Sequence, residues 1–241
     1  MLLFVALAVV AVGVLCHLAP FRFLLDAASG GVAMWEGPHE RAGQKVVYLT
    51  FDDGPNPTAT PELLDALREK SASATFFVID AYVHEGTAPI LRRAFAEGHA
   101  VALHSGDRWL MLKSPDGLAD VLETAAARVQ RYGGARPCLL FRPHGGWRSH
   151  SMIRGLRQSN YRLVGWSWMM WDWNWGRKRT AASVASRVLA RAQPGRIVVI
   201  HDGHHKDPMA DRLYAAGAVR LIVDGLRARG YELASLCEPG S

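Results

Sequence analysis

The chain has 241 residues, 49% hydrophobic and 21% charged, and its 28 Lys and Arg against 22 Asp and Glu give a formal charge of +6. This balance suits one sizeable domain with a real core plus an appendage, and it excludes a disordered or low-complexity chain. The basic residues are scattered with no basic run, which argues against nucleic acid as a partner, and three cysteines without a Cys-x-x-Cys pair exclude a disulfide framework or a thiolate zinc site.

Met1 to Cys16 carries no charge, and the first basic residue is Arg22. An uncharged stretch of about 20 residues can span a bilayer as a helix. The basic n-region and Ala-x-Ala site of a cleaved signal peptide are missing, so residues 1–21 read as a membrane anchor or uncleaved signal, with a cleaved signal as the rival. Arg22, Arg41 and Lys45 follow this segment, and a literal positive-inside count puts the domain in the cytoplasm. That count rests on a few charges, and the expectation adopted is a domain on the non-cytoplasmic side of the membrane. Residues 22–44, with Gly30-Gly31, Gly37-Pro38 and Gly43, read as a linker.

From Lys45 onward, short apolar runs alternate with longer amphipathic ones, the pattern of parallel strands joined by helices. Strands are expected at 46–51, 74–79, 100–104, 138–142, 162–168, 197–201 and 231–234. The first helix is expected to be capped by Thr60, with Pro61 in its first turn and Leu63, Leu64 and Leu67 on one face. Further helices are expected at 89–97, 115–132, 149–158, 181–192 and 210–229. The expected fold is α/β: a distorted (β/α) barrel, or strongly wound sheet, of about seven parallel strands over residues 45–238, preceded by the apolar N-terminal helix.

Sites in such folds lie at the carboxyl ends of the strands. Those ends carry Asp52 and Asp53, His104, Arg142, Asp172 just beyond a strand, and His201 with Asp202. Two adjacent carboxylates closing a buried strand are costly unless something cationic holds them. Carboxylates and imidazoles presented together suit a divalent cation such as zinc, which acidifies water. A nearby carboxylate then takes the proton and a distant imidazolium protonates a leaving group. That is the chemistry of a hydrolase.

Five segments carry these residues: Thr50-Phe51-Asp52-Asp53-Gly54-Pro55, His104-Ser105-Gly106-Asp107-Arg108, Phe141-Arg142-Pro143-His144-Gly145-Gly146, the run from Trp166 to Asp172-Trp173, and Val198-Val199-Ile200-His201-Asp202-Gly203. In content and order they resemble the five motifs of the polysaccharide deacetylases with a NodB-homology domain, carbohydrate esterase family 4, and the resemblance runs from about 46 to 236. It implies that Asp52 is the general base, Asp53 and His104 are metal ligands, Arg142 orients and charges the base, and His201 is the general acid that protonates the departing amine.

The sequence departs from those motifs at three places. Arg108 stands where the family has a second metal-binding His, and a guanidinium has no lone pair to give. Asp107 is the candidate replacement, since positions three and four apart on a helical turn share a face; the alternatives are weaker or no metal binding, with Arg108 pairing Asp53. Met169 stands where the family's first Asp usually tunes the acid His, so that tuning is either lost or taken over by Asp172. His144 replaces a proline and reads as an exposed loop residue or a substrate contact; His204 and His205 read as solvent-facing or as metal contacts.

Trp166, Trp168, Trp171, Trp173 and Trp175 crowd ten residues, and flat aromatic faces stack on sugar rings. Trp171 and Trp173 are the expected substrate contacts, while Trp166 or Trp168 fits core packing. Cys138 and Cys237 are able to pair if the domain is exported, but spacing does not decide connectivity.

The resemblance implies metal-dependent hydrolysis of acetamide groups on an N-acetylated sugar or polysaccharide, releasing acetate. The implied cofactor is a divalent metal, with zinc as the expected ion and its occupancy questioned by Arg108. The expected partners are an N-acetylated saccharide or cell-envelope polysaccharide, and the membrane through the N-terminal segment. Two rivals stand beside this reading: a carbohydrate-binding homologue that lost the chemistry, and an amide hydrolase for a small nitrogen compound.

Overall fold

The run Gln44–Gly54 is the central strand of the sheet in the computed structural model, which describes Leu7 and residues 31–167, 172 and 179–237. In chain order the strands are β1 (Ala33–Met34), β2 (Glu40–Arg41), β3 (Gln44–Gly54), β4 (Thr75–Ile79), β5 (Ala100–His104), β6 (Leu140–Arg142), β7 (Arg162–Val164), β8 (Ile197–His201) and β9 (Tyr231–Leu233). They lie in the order β1-β7-β6-β5-β4-β3, and β3 also pairs with β8, β9 and β2. Among the described strands only the β2–β3 pairing is antiparallel, with one isolated antiparallel bridge between Glu36 and Arg196. The described helices are α1 (Ala59–Glu69), α2 (Ala88–Ala96), α3 (Pro115–Gly133), α4 (His150–Gln158), α5 (Ala181–Ala190) and α6 (Tyr214–Arg227). The far edge bends round toward β8: Gly37 N–H donates to the Gly195 carbonyl, and Ser167 N–H to the Ile197 carbonyl. The result is the curled, distorted half-barrel expected from the sequence.

All seven expected strands form, as β3 to β9. β3 runs three residues past its expected end, so Asp52 and Asp53 are still strand residues. β7 stops at Val164, short of the expected 168; at Gly165 the Trp35 ring approaches so closely that a side chain would collide with it.

The linker reading of 22–44 is corrected over its described part. Met34 lies in register with Val164, Trp35 meets Trp166 edge to face at 6.3 Å, and Tyr48 Oη donates to the Pro38 carbonyl. Two-residue strands show no periodicity in a sequence, so β1 and β2 were invisible there.

Thr60 does not cap α1, which begins at Ala59; Asn56 Oδ1 instead accepts from the Thr58 and Ala59 N–H groups. The last helix begins at Tyr214 rather than near 210. The N-terminal apolar helix expected over 1–21, apart from Leu7, lies outside the described residues, as do Trp168, Met169, Trp171, Trp173 and Trp175. Among the described residues no helix is long and apolar enough to cross a membrane.

Side chains alternate across a strand, and here that alternation separates two cores. Val47, Leu49 and Phe51 of β3, Phe76 and Val78 of β4, and Val101 and Leu103 of β5 face the helices. Val46 and Tyr48, Phe77, Ala100 and Ala102, Leu140, and Ile197 fill the inside of the curl. Continuing the inner face toward the carboxyl ends exchanges this apolar floor for Asp52, His104 and Arg142. Cys138 and Cys237, at the floor, form a disulfide with their Cα atoms 6.6 Å apart.

Candidate active site

Asp52 and His201 are direct register partners on the adjacent parallel strands β3 and β8, and His104 and Arg142 are partners on β5 and β6. The sheet thus brings four of the expected residues to one rim.

Arg142 is wholly buried. Its Nη1 donates to Asp52 Oδ1 at 2.5 Å and to Thr50 Oγ1 at 2.8 Å, its Nη2 donates to the Gly165 carbonyl at 3.1 Å, and its guanidinium lies 3.9 Å from the centre of the Phe77 ring. A guanidinium tied down this way compensates the Asp52 charge and fixes its direction.

Asp53 would point to the helix side of an ordinary strand, opposite Asp52. It does not, because the pairing of β3 with β4 slips between Asp52 and Gly54 and Asp53 takes a left-handed φ of 70°. This bulge re-aims its carboxylate inward. Gly203 makes room for it: a Cβ there would overlap the Asp53 carbonyl.

His104 Nδ1 lies 2.8 Å from the Arg142 carbonyl, which only accepts, so that nitrogen carries a hydrogen. Its Nε2 faces Asp53 Oδ1 at 3.2 Å, yet that buried oxygen has no hydrogen-bond partner. Two electron-rich atoms face each other there, and a proton or a cation between them relieves the repulsion. Burial opposes a charge on His104, but Asp52 and Asp53 outweigh it and raise its pKa. Burial would likewise raise the pKa of Asp53, yet the His104, His201 and His144 imidazoles hold it well below the usual carboxylate range.

His144 completes this corner. Asp53, His104 and His144 each offer one donor atom, and the three lie within 4.8 Å of one another. One carboxylate oxygen and two imidazole nitrogens fit a borderline divalent ion with an open position left over. Burial, with the fields of His104 and His205, takes the pKa of His144 down to about 4, so at neutral pH its lone pair is free.

On the opposite side, His201 Nδ1 lies 2.8 Å from Asp172 Oδ1. Asp172 Oδ2 accepts from His201 N–H and from Tyr214 Oη, both at 2.7 Å. Burial works against a charge on His201, but Asp172, with Asp53 and Asp52 further off, pushes its pKa up to about 9. Burial also opposes ionisation of Asp172, and the His201 imidazole still brings it down to about 2. Tyr214, 42 residues from Asp172, was not legible in the sequence; a polar residue opening a helix otherwise reads as solvent-facing.

Asp107 is not brought to the cluster. It is exposed, and its carboxylate accepts from the Trp109 N–H at 2.9 Å, opening the short 3₁₀ turn Arg108–Leu112. The expected placement of Asp107 beside Asp53 and His104 is corrected: His144 stands there instead, half-buried and not an exposed loop residue. Arg108 is exposed and forms no ion pair among the described residues, so the alternative pairing with Asp53 does not occur. The His205 ring packs 4.3 Å from that of His144, and His204 follows at 4.6 Å from His205. Trp166 is buried in the core, and the expected substrate contacts Trp171 and Trp173 lie outside the described residues.

A curled parallel sheet that presents an acid braced by a guanidinium and an imidazole braced by an acid has the parts of an acid–base hydrolase, beside a carboxylate–imidazole cluster able to hold a cation. Residues 39–164 match the polysaccharide deacetylase family. The chain is 30% identical over 210 residues to a peptidoglycan-N-acetylglucosamine deacetylase of Bacillus cereus, covering 86% of this chain and 92% of that one. It is 34% identical over 220 residues to a chitooligosaccharide deacetylase of Rhizobium leguminosarum bv. trifolii, covering 83% and 95%. A family 4 acetyl xylan esterase of Clostridium thermocellum, solved in complex with a cobalt ion, superposes with a TM-score of 0.68 at 30% identity over 80% of this chain and 88% of that one. This chain belongs to the polysaccharide deacetylase family and is a hydrolase of that type.

Proposed function

We propose that this protein hydrolyses the acetamide of an N-acetylated amino sugar in a cell-envelope polysaccharide, releasing acetate. The observation that carries the reading is the Asp52–His201 pairing across β3 and β8, each member braced oppositely, one by Arg142 and the other by Asp172. Environments that separate the proton affinities of two neighbouring groups assign the base and the acid.

Asp53, His104 and His144 would hold a divalent cation, which when bound supplies Lewis acidity toward water and toward the amide carbonyl. Asp52 takes the proton of the attacking water, with Arg142 fixing the carboxylate that receives it. His201 keeps its Nδ1 hydrogen on Asp172 and delivers the Nε2 proton to the sugar nitrogen as the carbon–nitrogen bond breaks. Asp172 fills the tuning role that Met169 leaves open, which weakens the case for a homologue without chemistry.

The names of the two sequence relatives support an N-acetylated saccharide as substrate. A cystine is at home in an oxidising compartment, so Cys138–Cys237 supports the non-cytoplasmic side, reached through the anchor at 1–21. The test is acetate release from N-acetylglucosamine oligomers by chelator-stripped protein, before and after zinc. Zinc-dependent release is the expected result; folded protein that releases no acetate with any divalent metal defeats the reading.

A further inference from the structure

Resting on the reading of a cation-assisted centre, we propose that the cation takes its third protein ligand from His144, on the loop after β6, and not from the turn after β5 that carries Asp107 and Arg108, with Ser105 positioning that ligand.

The seam between β5 and β6 is cross-stitched. His104 Nδ1 donates to the Arg142 carbonyl at 2.8 Å, and Ser105 N–H donates to that same carbonyl at 3.2 Å. In the other direction, the His144 N–H donates to Ser105 Oγ at 2.9 Å. One end of β5 therefore fixes both imidazoles: His104 through the carbonyl of its register partner, His144 through the hydroxyl of the next residue. Ser105 is itself buried. Pro143 leads into His144, and Gly145 and Gly146 then take left-handed φ values of 59° and 75°, so the chain turns away directly after presenting the ring. The His205 ring packs against that of His144 at 4.3 Å and limits its rotation.

The turn after β5 supplies no donor to the cluster. The Asp107 carboxylate is spent on the Trp109 N–H and Arg108 is exposed. An arginine at 108 is thus no gap in the coordination shell, because the shell is closed by a different element.

The experiment measures binding of zinc alone, by calorimetry and metal analysis, to chelator-stripped protein. Wild type is expected to take up roughly one equivalent, as a three-ligand site requires. His144→Phe keeps a ring against His205 but removes the donor, and it should weaken binding by more than about 100-fold, beyond the roughly 10- to 100-fold that loss of an outer partner costs. Ser105→Ala should weaken it by about 10-fold, while Asp107→Asn and Arg108→Ala bind as wild type does. Unchanged circular dichroism in chelator shows that each variant is folded. Wild-type affinity in His144→Phe, loss of the ion in Asp107→Asn or Arg108→Ala, or a wild type that takes up no zinc overturns the proposal, and wild-type affinity in Ser105→Ala overturns the positioning role. Because binding is read without turnover, a zinc-loaded wild type that releases no acetate strikes the deacetylase reading and leaves the ligand assignment standing.

Discussion

Asp172 illustrates what one side chain decides. Its two oxygens hold His201 at the ring and at the backbone, and its field keeps that imidazole protonated up to a pKa of about 9, against an ordinary 6.5. In Asp172→Asn the strongest raising field disappears, and burial, which disfavours the charge, is opposed only by Asp53 and Asp52 further off. Acetate release limited by protonated His201 should then lose its alkaline limb at a lower pH than in wild type, and a pH profile of kcat checks this. Stability follows the same sign. A raised His pKa contributes stability that is complete below 6.5 and fades as the pH rises through about 9, so wild type should lose stability across that window and Asp172→Asn should lose less. A profile unmoved by the substitution would remove His201 from the acid role. At this scale the sequence displayed Asp52, Asp53, His104, Arg142 and His201 because each closes a strand. It concealed His144 because that adjacency crosses from β5 to β6, and spacing along the chain favoured Asp107. The available signal was the His two residues past Arg142, the register partner of His104.

Elements set the geometry in which those residues meet. The five contiguous register pairs of β3 with β8 carry base and acid to one level, and the bulge at Asp53 is accommodated only because position 203 has no side chain. Gly203→Ala should push the end of β8 off the Asp53 carbonyl, costing about 1–3 kcal/mol in overpacking and depressing acetate release more than stability alone explains. Urea denaturation and kcat of the folded fraction measure the two effects, and a fully active Gly203→Ala would show that the contact yields freely. Apolar runs with turn residues between them made seven strands legible within a few residues. The two-residue strands β1 and β2 lacked the length for any period, and the Thr60 cap was misread because Asn56 supplies the acceptor while the Thr60 hydroxyl instead donates to buried Asp202 at 2.5 Å.

Across the whole molecule, the chemistry sits at the carboxyl ends of the strands and the Cys138–Cys237 cystine at the floor, joining positions 99 residues apart. Replacing both cysteines by alanine should lower stability by roughly 2–5 kcal/mol and leave kcat per folded molecule unchanged, since neither sulfur approaches the rim. A thermal melt beside an assay below the transition separates those outcomes; a fall in kcat without a fall in Tm would contradict the separation of floor from rim. The bulge between Asp52 and Gly54 also constrains how this rim can diversify. One residue added or deleted just before Asp52 would move one acid into the other's place and leave either the guanidinium or the imidazoles without an acid, whereas a change in the loops after β5, β6 or β8 leaves the two acids in register. Length variation at the end of β3 therefore destroys the division of labour between the neighbouring acids, and libraries exploring new substrates retain it by remodelling the loops after β5, β6 and β8.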